Sequence, residues 1–128
     1  MSDVLAKDIM LKNIQTISPD EKIALARLIM VRQGVGGLPV VKEDNVLVGM
    51  ITLRDISSAG GDIVMLQVKD LMTKRNLLIG TEKTSLLELA DMMAKTGIQR
   101  IPIVDGDRKL VGLVTQSVLI RAFRNIFK

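Results

Sequence analysis

The sequence predicts a mixed α+β fold (α/β mixed) in which two β-α-β-β-α repeats pack as one pseudo-two-fold unit. The first observation is duplication. Val4-Leu5-Ala6-Lys7-Asp8-Ile9-Met10 returns 62 positions later as Leu66-Gln67-Val68-Lys69-Asp70-Leu71-Met72, and Gly34, Pro39, Gly49 and Thr52 return 63 positions later as Gly97, Pro102, Gly112 and Thr115. A repeat of this size is one supersecondary unit whose apolar faces need a neighbour. The second observation is order: short, nearly all-apolar runs alternate with helical apolar periodicity in the same sequence in both halves. The third is size. About 60 residues bury only roughly 60% of their unfolded surface, whereas two such repeats sharing a core approach the burial typical of about 150 residues. The small-residue stretch Ser58-Ala59-Gly60-Gly61-Asp62 marks the boundary, giving one repeat over residues 1–60 and another over 61–128.

Each element carries its own signals. A short helix ends at Lys7-Asp8-Ile9-Met10, and Gln15-Thr16-Ile17 reads as a brief strand. Ser18-Pro19-Asp20-Glu21 then opens a helix, with Ser at the cap, Pro at the first position and acids in the first turn. Ile23, Leu25, Ala26, Leu28, Ile29 and Met30 give that helix a broad apolar face, and Gly34 stops it. Leu38-Pro39-Val40-Val41 and Val46-Leu47-Val48-Gly49-Met50-Ile51 form a hairpin around Lys42-Glu43-Asp44-Asn45, and Thr52 opens a second helix. The other half repeats the program: Leu77-Leu78-Ile79 as strand, a helix opened at Thr84 or Ser85 and closed by Gly97, a hairpin around Asp105-Gly106-Asp107, and a last helix from Thr115. The methionines fall at helical spacing and read as core filling.

Composition narrows the chemistry. The chain is 48% hydrophobic, 25% charged and only 2% aromatic, so its core is built from Ile, Val, Leu and Met. With no Cys and no His, disulfides, thiolate nucleophiles, the usual zinc ligands and the commonest neutral-pH base are all missing. No catalytic residue and no metal site is assigned, and an enzyme is not expected. The Gly34-Val35-Gly36-Gly37 run lacks the Lys-Ser/Thr of a phosphate loop and leads into a strand. Apolar runs stay well short of the roughly 20 residues a membrane-spanning helix needs, and no signal-peptide pattern opens the chain, so a cytoplasmic protein with no membrane partner is expected. The net charge of +4 and the basic end of the last helix, Arg121, Arg124 and Lys128, leave a nucleic-acid partner as an alternative.

Strand, helix, strand, strand, helix, twice over, with Gly-x-x-Thr closing each hairpin, resembles a stand-alone tandem pair of CBS domains, the regulatory modules named after cystathionine beta-synthase. The resemblance covers Val4 to about Phe127. It implies a non-enzymatic sensor that needs no cofactor and binds an adenosine nucleotide (AMP, ADP or ATP) between its repeats, assembles as a disc-like homodimer and acts on an effector protein. The family's ribose-holding motif stands here as Gly49-Met50-Ile51-Thr52-Leu53-Arg54-Asp55. A carboxylate accepts several hydrogen bonds, which suits a pair of ribose hydroxyls. Thr52 and Asp55 also have the spacing of a helix capping box, a purely structural use of the same residues. The second copy keeps Thr115 but has Val118 where Asp55 stands, so a helix of this kind starts without the acid.

The resemblance places the other wall of the ligand at Ile98-Gln99-Arg100-Ile101-Pro102, with Leu77, Leu78 and Ile79 beside it. Arg100 matches a phosphate-contacting arginine of the family, while its copy in the first repeat is Gly37. A guanidinium is always charged and donates two parallel hydrogen bonds to phosphate oxygens. Asp55 and Arg100 are thus assigned to one cleft, and Val118 and Gly37 to an impaired one. Ile98, Leu78 and Met50 offer an apolar slot for the base, or core packing; Lys74 and Arg75 offer further phosphate charge, or plain surface. The alternative is a purely structural dimerisation module with vestigial pockets.

Overall fold

The structure, a computed structural model, describes residues 4–61 and 63–128. Asp62 of the expected boundary lies outside them. The described chain forms two compact units, the first over Gln15–Leu77 and the second joining the N-terminal residues up to Ile14 to Leu78–Lys128.

The first unit holds helix α2 (Ile23–Gln33), the antiparallel hairpin of β1 (Gly37–Lys42) and β2 (Val46–Thr52), helix α3 (Leu53–Ala59) and the one-turn helix α4 (Val68–Leu71). Its core is Ile17, Ile23, Ala26, Met30, Leu38, Val40, Ile51, Ile56 and Val68. Helix α2 buries Ile23, Ala26 and Met30, one face of a 3.6-residue period, and leaves Leu25 and Leu28 on the outside. Gly34 ends it in the left-handed region at φ 65°, which favours glycine.

The second unit repeats this plan with helix α1 (Ala6–Ile9), helix α5 (Leu86–Thr96), the antiparallel hairpin of β3 (Arg100–Val104) and β4 (Leu110–Thr115), and helix α6 (Gln116–Ile126). Its core is built on Leu86, Leu89, Met93, Ile101, Ile103, Val114, Val118 and Leu119. The Ser85 hydroxyl caps α5 by accepting from the Glu88 N–H at 3.1 Å, and Gly97 closes it at φ 76°. Ser85→Ala is therefore expected to lower stability by about 1 kcal/mol in urea denaturation.

Two short strands shrink to single bridging residues. Of Gln15-Thr16-Ile17 only Ile17 bridges, lying parallel to Val40, and of the Leu77–Ile79 stretch none does; Gly80 bridges Ile103 instead. The opening of α2 also differs from expectation. Ser18-Pro19-Asp20-Glu21 is a turn, with the Asp20 N–H on Ser18 Oγ at 3.2 Å and the Glu21 N–H on the Ser18 carbonyl at 3.2 Å, and the helix starts at Ile23. The reason is competition for the backbone: the Glu21 carbonyl takes the Val68 N–H at 2.8 Å and the Ile23 N–H goes to Leu66 O at 3.1 Å, which holds Lys22 in an extended bridge to Gln67.

The compact units are not the sequence repeats, because each takes its short arm from the other repeat. The arm around α1 pairs with the second repeat, through Ala6 N–H to Thr84 O at 2.7 Å, Leu86 N–H to Val4 O at 3.0 Å and the Leu11–Leu113 bridge. The arm around α4 pairs with the first repeat through the Lys22–Gln67 and Met50–Thr73 bridges. Glycine makes the exchange possible: a Cβ on Gly49 would lie 2.7 Å from Thr73 O and 2.9 Å from Met72 Sδ, and one on Gly112 would meet Met10 Sδ and lie 2.6 Å from its Cγ. The repeated Met of the arm and the repeated Gly of the hairpin are thus partners in packing. This contact, which the sequence reading did not connect, gives Gly49 a role at the core that involves no ligand.

Candidate ligand site

In the first unit, β2 ends at Thr52, whose hydroxyl accepts the Asp55 N–H at 3.1 Å while Asp55 Oδ2 accepts the Thr52 N–H at 2.9 Å. This is a complete capping box. It fixes the half-buried Asp55 carboxylate through one oxygen, and Oδ1 carries no hydrogen bond among the described residues. Capping by aspartate recurs: Asp8 accepts from the Leu5 N–H at 2.9 Å and Asp70 from the Gln67 N–H at 2.8 Å. Both of those carboxylates are exposed, on one-turn helices anchored by the buried Ala6 and Val68.

The rest of the Gly49–Thr52 segment is packed. Ile51 is fully buried in the core of the first unit, and Met50 is buried with its backbone bridged to Thr73. Among the side chains assigned there from the sequence, Thr52 and Asp55 are the ones that remain partly open, together with the half-buried Leu77. At the antiparallel Met50–Thr73 bridge the chain runs so that Lys74 and Arg75 lead away from Thr52. Both are exposed.

In the second unit, Arg100 begins β3 opposite Thr115, the residue that caps α6 by accepting the Val118 N–H at 3.2 Å. Val118 itself is 6% exposed and belongs to the core of that unit. The position corresponding to Asp55 is therefore a packing position here, and the helix keeps its cap without an acid. Gly37 is likewise opposite Thr52, so each hairpin presents one of its two motif ends to the other: Gly37 with the acid-bearing cap, Arg100 with the acid-free one.

Arg100 is the electrostatic feature of the second unit. It is half-buried, and loss of water pushes its guanidinium below the ordinary arginine value. Among the described residues it has no ion pair and no side-chain hydrogen bond. A charge removed from water without a partner costs free energy that an anion would return. Around it, Ile98 is half-buried against the core, Gln99 is exposed with its carbonyl holding the Gln116 N–H at 3.0 Å, and Pro102 is buried with its carbonyl taking the Gly80 N–H at 2.9 Å. That last bond draws the half-buried Leu78 and Ile79 alongside β3. Asp55 and Arg100 thus belong to different units. No group of His, Cys, Asp or Glu suited to a metal ion occurs among the described residues, and no described helix is long and apolar enough to cross a membrane.

Comparison with known proteins bears on what these two ends belong to. The sequence model of the CBS domain matches twice, over residues 6–62 and 68–125. The inosine-5'-monophosphate dehydrogenase of Methanocaldococcus jannaschii is 34% identical over 116 residues, which is 91% of this chain and 23% of that enzyme. The Thermoplasma acidophilum enzyme of the same name is 34% identical over 114 residues, 88% of this chain and 22% of its own length. The chain therefore spans less than a quarter of these relatives, the part that matches the CBS domain. Among solved structures, CBSX2 in complex with AMP superposes with a TM-score of 0.86 at 29% identity, covering 98% of this chain and 99% of that one. The CBS domain pair of protein MJ0100, in complex with 5'-methylthioadenosine and S-adenosyl-L-methionine, superposes at 0.84 with 31% identity, covering 96% and 98%. With two matched repeats and this architecture, the chain belongs to the CBS domain family.

Proposed function

We propose that this protein is a non-enzymatic regulatory module that binds an adenosine nucleotide, AMP, ADP or ATP, gripping the ribose with Thr52 and Asp55 and meeting the phosphate with Arg100. The observation that carries the proposal is the half-buried Arg100 guanidinium with no counter-ion among the described residues. Supporting it are the carboxylate of Asp55, held by its cap with one oxygen to spare, and the AMP bound by the similar CBSX2. The half-buried Leu77, Leu78, Ile79 and Ile98 supply apolar surface for the base. A ligand changes a conformational equilibrium only through unequal affinity for its states, so signalling passes to an effector protein through the nucleotide-bound form. The module self-associates as a homodimer.

A thermal-shift panel across AMP, ADP, ATP, S-adenosylmethionine and a short oligonucleotide tests the ligand class. A nucleotide at 100 times its dissociation constant stabilises the native state by about 2.7 kcal/mol. Arg100→Ala is expected to weaken AMP and ATP by about 1.5–3 kcal/mol, the range for a hydrogen bond to a charged group, while adenosine binding changes far less. Equal losses for adenosine and AMP would remove the phosphate role of Arg100. Stabilisation by the oligonucleotide alone, with affinity falling steeply in salt, would replace the nucleotide by nucleic acid.

A further inference from the structure

A single cut between Gly60 and Gly61 divides the chain into its two sequence repeats, and each compact unit is then shared between the two pieces. The joint at the cut serves neither core: residues 57–61 are exposed, and a Cβ on Gly60 or Gly61 would meet nothing within 4 Å. The arms carry the contacts instead. Val68 is fully buried in the core of the first unit, with Leu66, Leu71 and Met72 packed against it. Its arm exchanges main-chain hydrogen bonds with the first repeat through the N–H groups of Ile23, Met50, Val68, Lys69 and Thr73, at 2.8–3.1 Å. In the second unit, Ala6 is fully buried, with Val4, Ile9 and Met10 packed against that core, and the N–H groups of Ala6, Lys7, Leu11, Leu86 and Leu113 make the corresponding bonds at 2.7–3.1 Å. A single helical turn is unstable by itself, so each arm takes its order from the seat it fills.

We infer that each repeat is a docking surface for the arm of the other and that the link through Gly60 is dispensable, so that residues 1–60 and 61–128 hold together as two separate chains. What decides whether a cut is tolerated is the burial and hydrogen bonding of the backbone around it, and here both lie in the arms. The occupant of each seat is a short segment of common chemistry, an apolar residue, then Ala or Val two positions on, then Lys-Asp, a further apolar residue and Met. Polar contacts add selectivity. Lys69 Nζ lies 3.2 Å from Asp20 Oδ1, and Gln67 Nε2 donates to the Asp20 carbonyl at 2.9 Å. The N–H of Lys69 goes to the Pro19 carbonyl as that of Lys7 goes to Glu82, so the residue matching Asp20 in the second repeat is Lys83. The second repeat thus offers the lysine of its own arm a like charge, and the first repeat offers it an acid.

A recognition sequence for a site-specific protease, inserted between Gly60 and Gly61, allows the folded full-length chain to be cut. The two pieces are expected to run together in size-exclusion chromatography and to part only in denaturant. Pieces that separate in buffer overturn the inference. With one piece immobilised through a tag, Val68→Ala and Met10→Ala are each expected to speed release of the other about tenfold or more, one variant for each seat. Release unchanged in both variants overturns the arms as what holds the pieces. If the insertion itself lowers the melting temperature of the uncut chain, residues 1–60 and 61–128 are produced together in one cell and are expected to purify as one complex through a tag on either; recovery of the tagged piece alone overturns the inference in the same way. No nucleotide is present in these measurements, so their outcome is separate from that of ligand binding.

Discussion

Gly49→Ala is expected to destabilise the protein by about 3 kcal/mol, the upper end of the cost of overpacking, and to lower its melting temperature by about 10 °C. The added Cβ would lie 2.7 Å from the carbonyl oxygen of Thr73, a backbone atom that is itself bonded to the Met50 N–H at 3.0 Å. Moving that carbonyl away breaks the bridge that seats the α4 arm on the first unit. Gly112→Ala is the informative contrast, because the atoms in its way are Sδ and Cγ of the Met10 side chain. A thioether chain can rotate or be shortened. A double-mutant cycle in chemical denaturation is therefore expected to show that Met10→Ala offsets part of the damage of Gly112→Ala, whereas Met72→Ala leaves most of the damage of Gly49→Ala in place. Wild-type stability for Gly49→Ala would show that the close approach is not what the glycine serves.

This contact also marks where the sequence stops being legible. The duplication, the hairpins, the left-handed stops at Gly34 and Gly97 and the caps at Thr52, Ser85 and Thr115 follow from local chemistry, and local chemistry is written in neighbouring residues. The exchange of arms is not. Two copies of one motif offer each arm two nearly identical hairpins, and periodicity carries no information on which is chosen. The opening of α2 failed for a related reason: Ser18-Pro19-Asp20 has every local start signal, yet Glu21 and Ile23 give their backbone groups to Val68 and Leu66, more than forty residues on. The strands at Ile17 and Gly80 each reduce to one bridge, too short for any pattern of alternation. At the candidate site the chemistry was legible residue by residue, and burial sorts it: Ile51 and Val118 belong to cores, while Asp55 and Arg100 stay half-open.

Asp55→Asn is expected to leave the fold nearly unchanged and to weaken adenosine-nucleotide binding about 10- to 150-fold, the equivalent of losing a 1.5–3 kcal/mol hydrogen bond to a charged group. The two oxygens of the Asp55 carboxylate differ in their partners. One takes the Thr52 N–H at 2.9 Å, and the other has no partner among the described residues. Asparagine keeps one acceptor, which the cap uses, and turns the other atom into a donor that cannot accept a ribose hydroxyl. Asp55→Ala loses both uses, so it is expected to bind as poorly as Asp55→Asn and also to lose about 1 kcal/mol of stability with the cap. Val118→Ala provides the opposite pattern, because that side chain is 6% exposed in the core: stability falls and calorimetric binding does not change. If Asp55→Asn binds nucleotide like the wild type, the carboxylate serves only the helix. Asp8 and Asp70 show that this chain does use aspartate in that way. What separates Asp55 from them is its place, half-buried in the first turn of the helix that follows a core strand, whereas Asp8 and Asp70 are exposed, and the substitution by asparagine measures what that place adds.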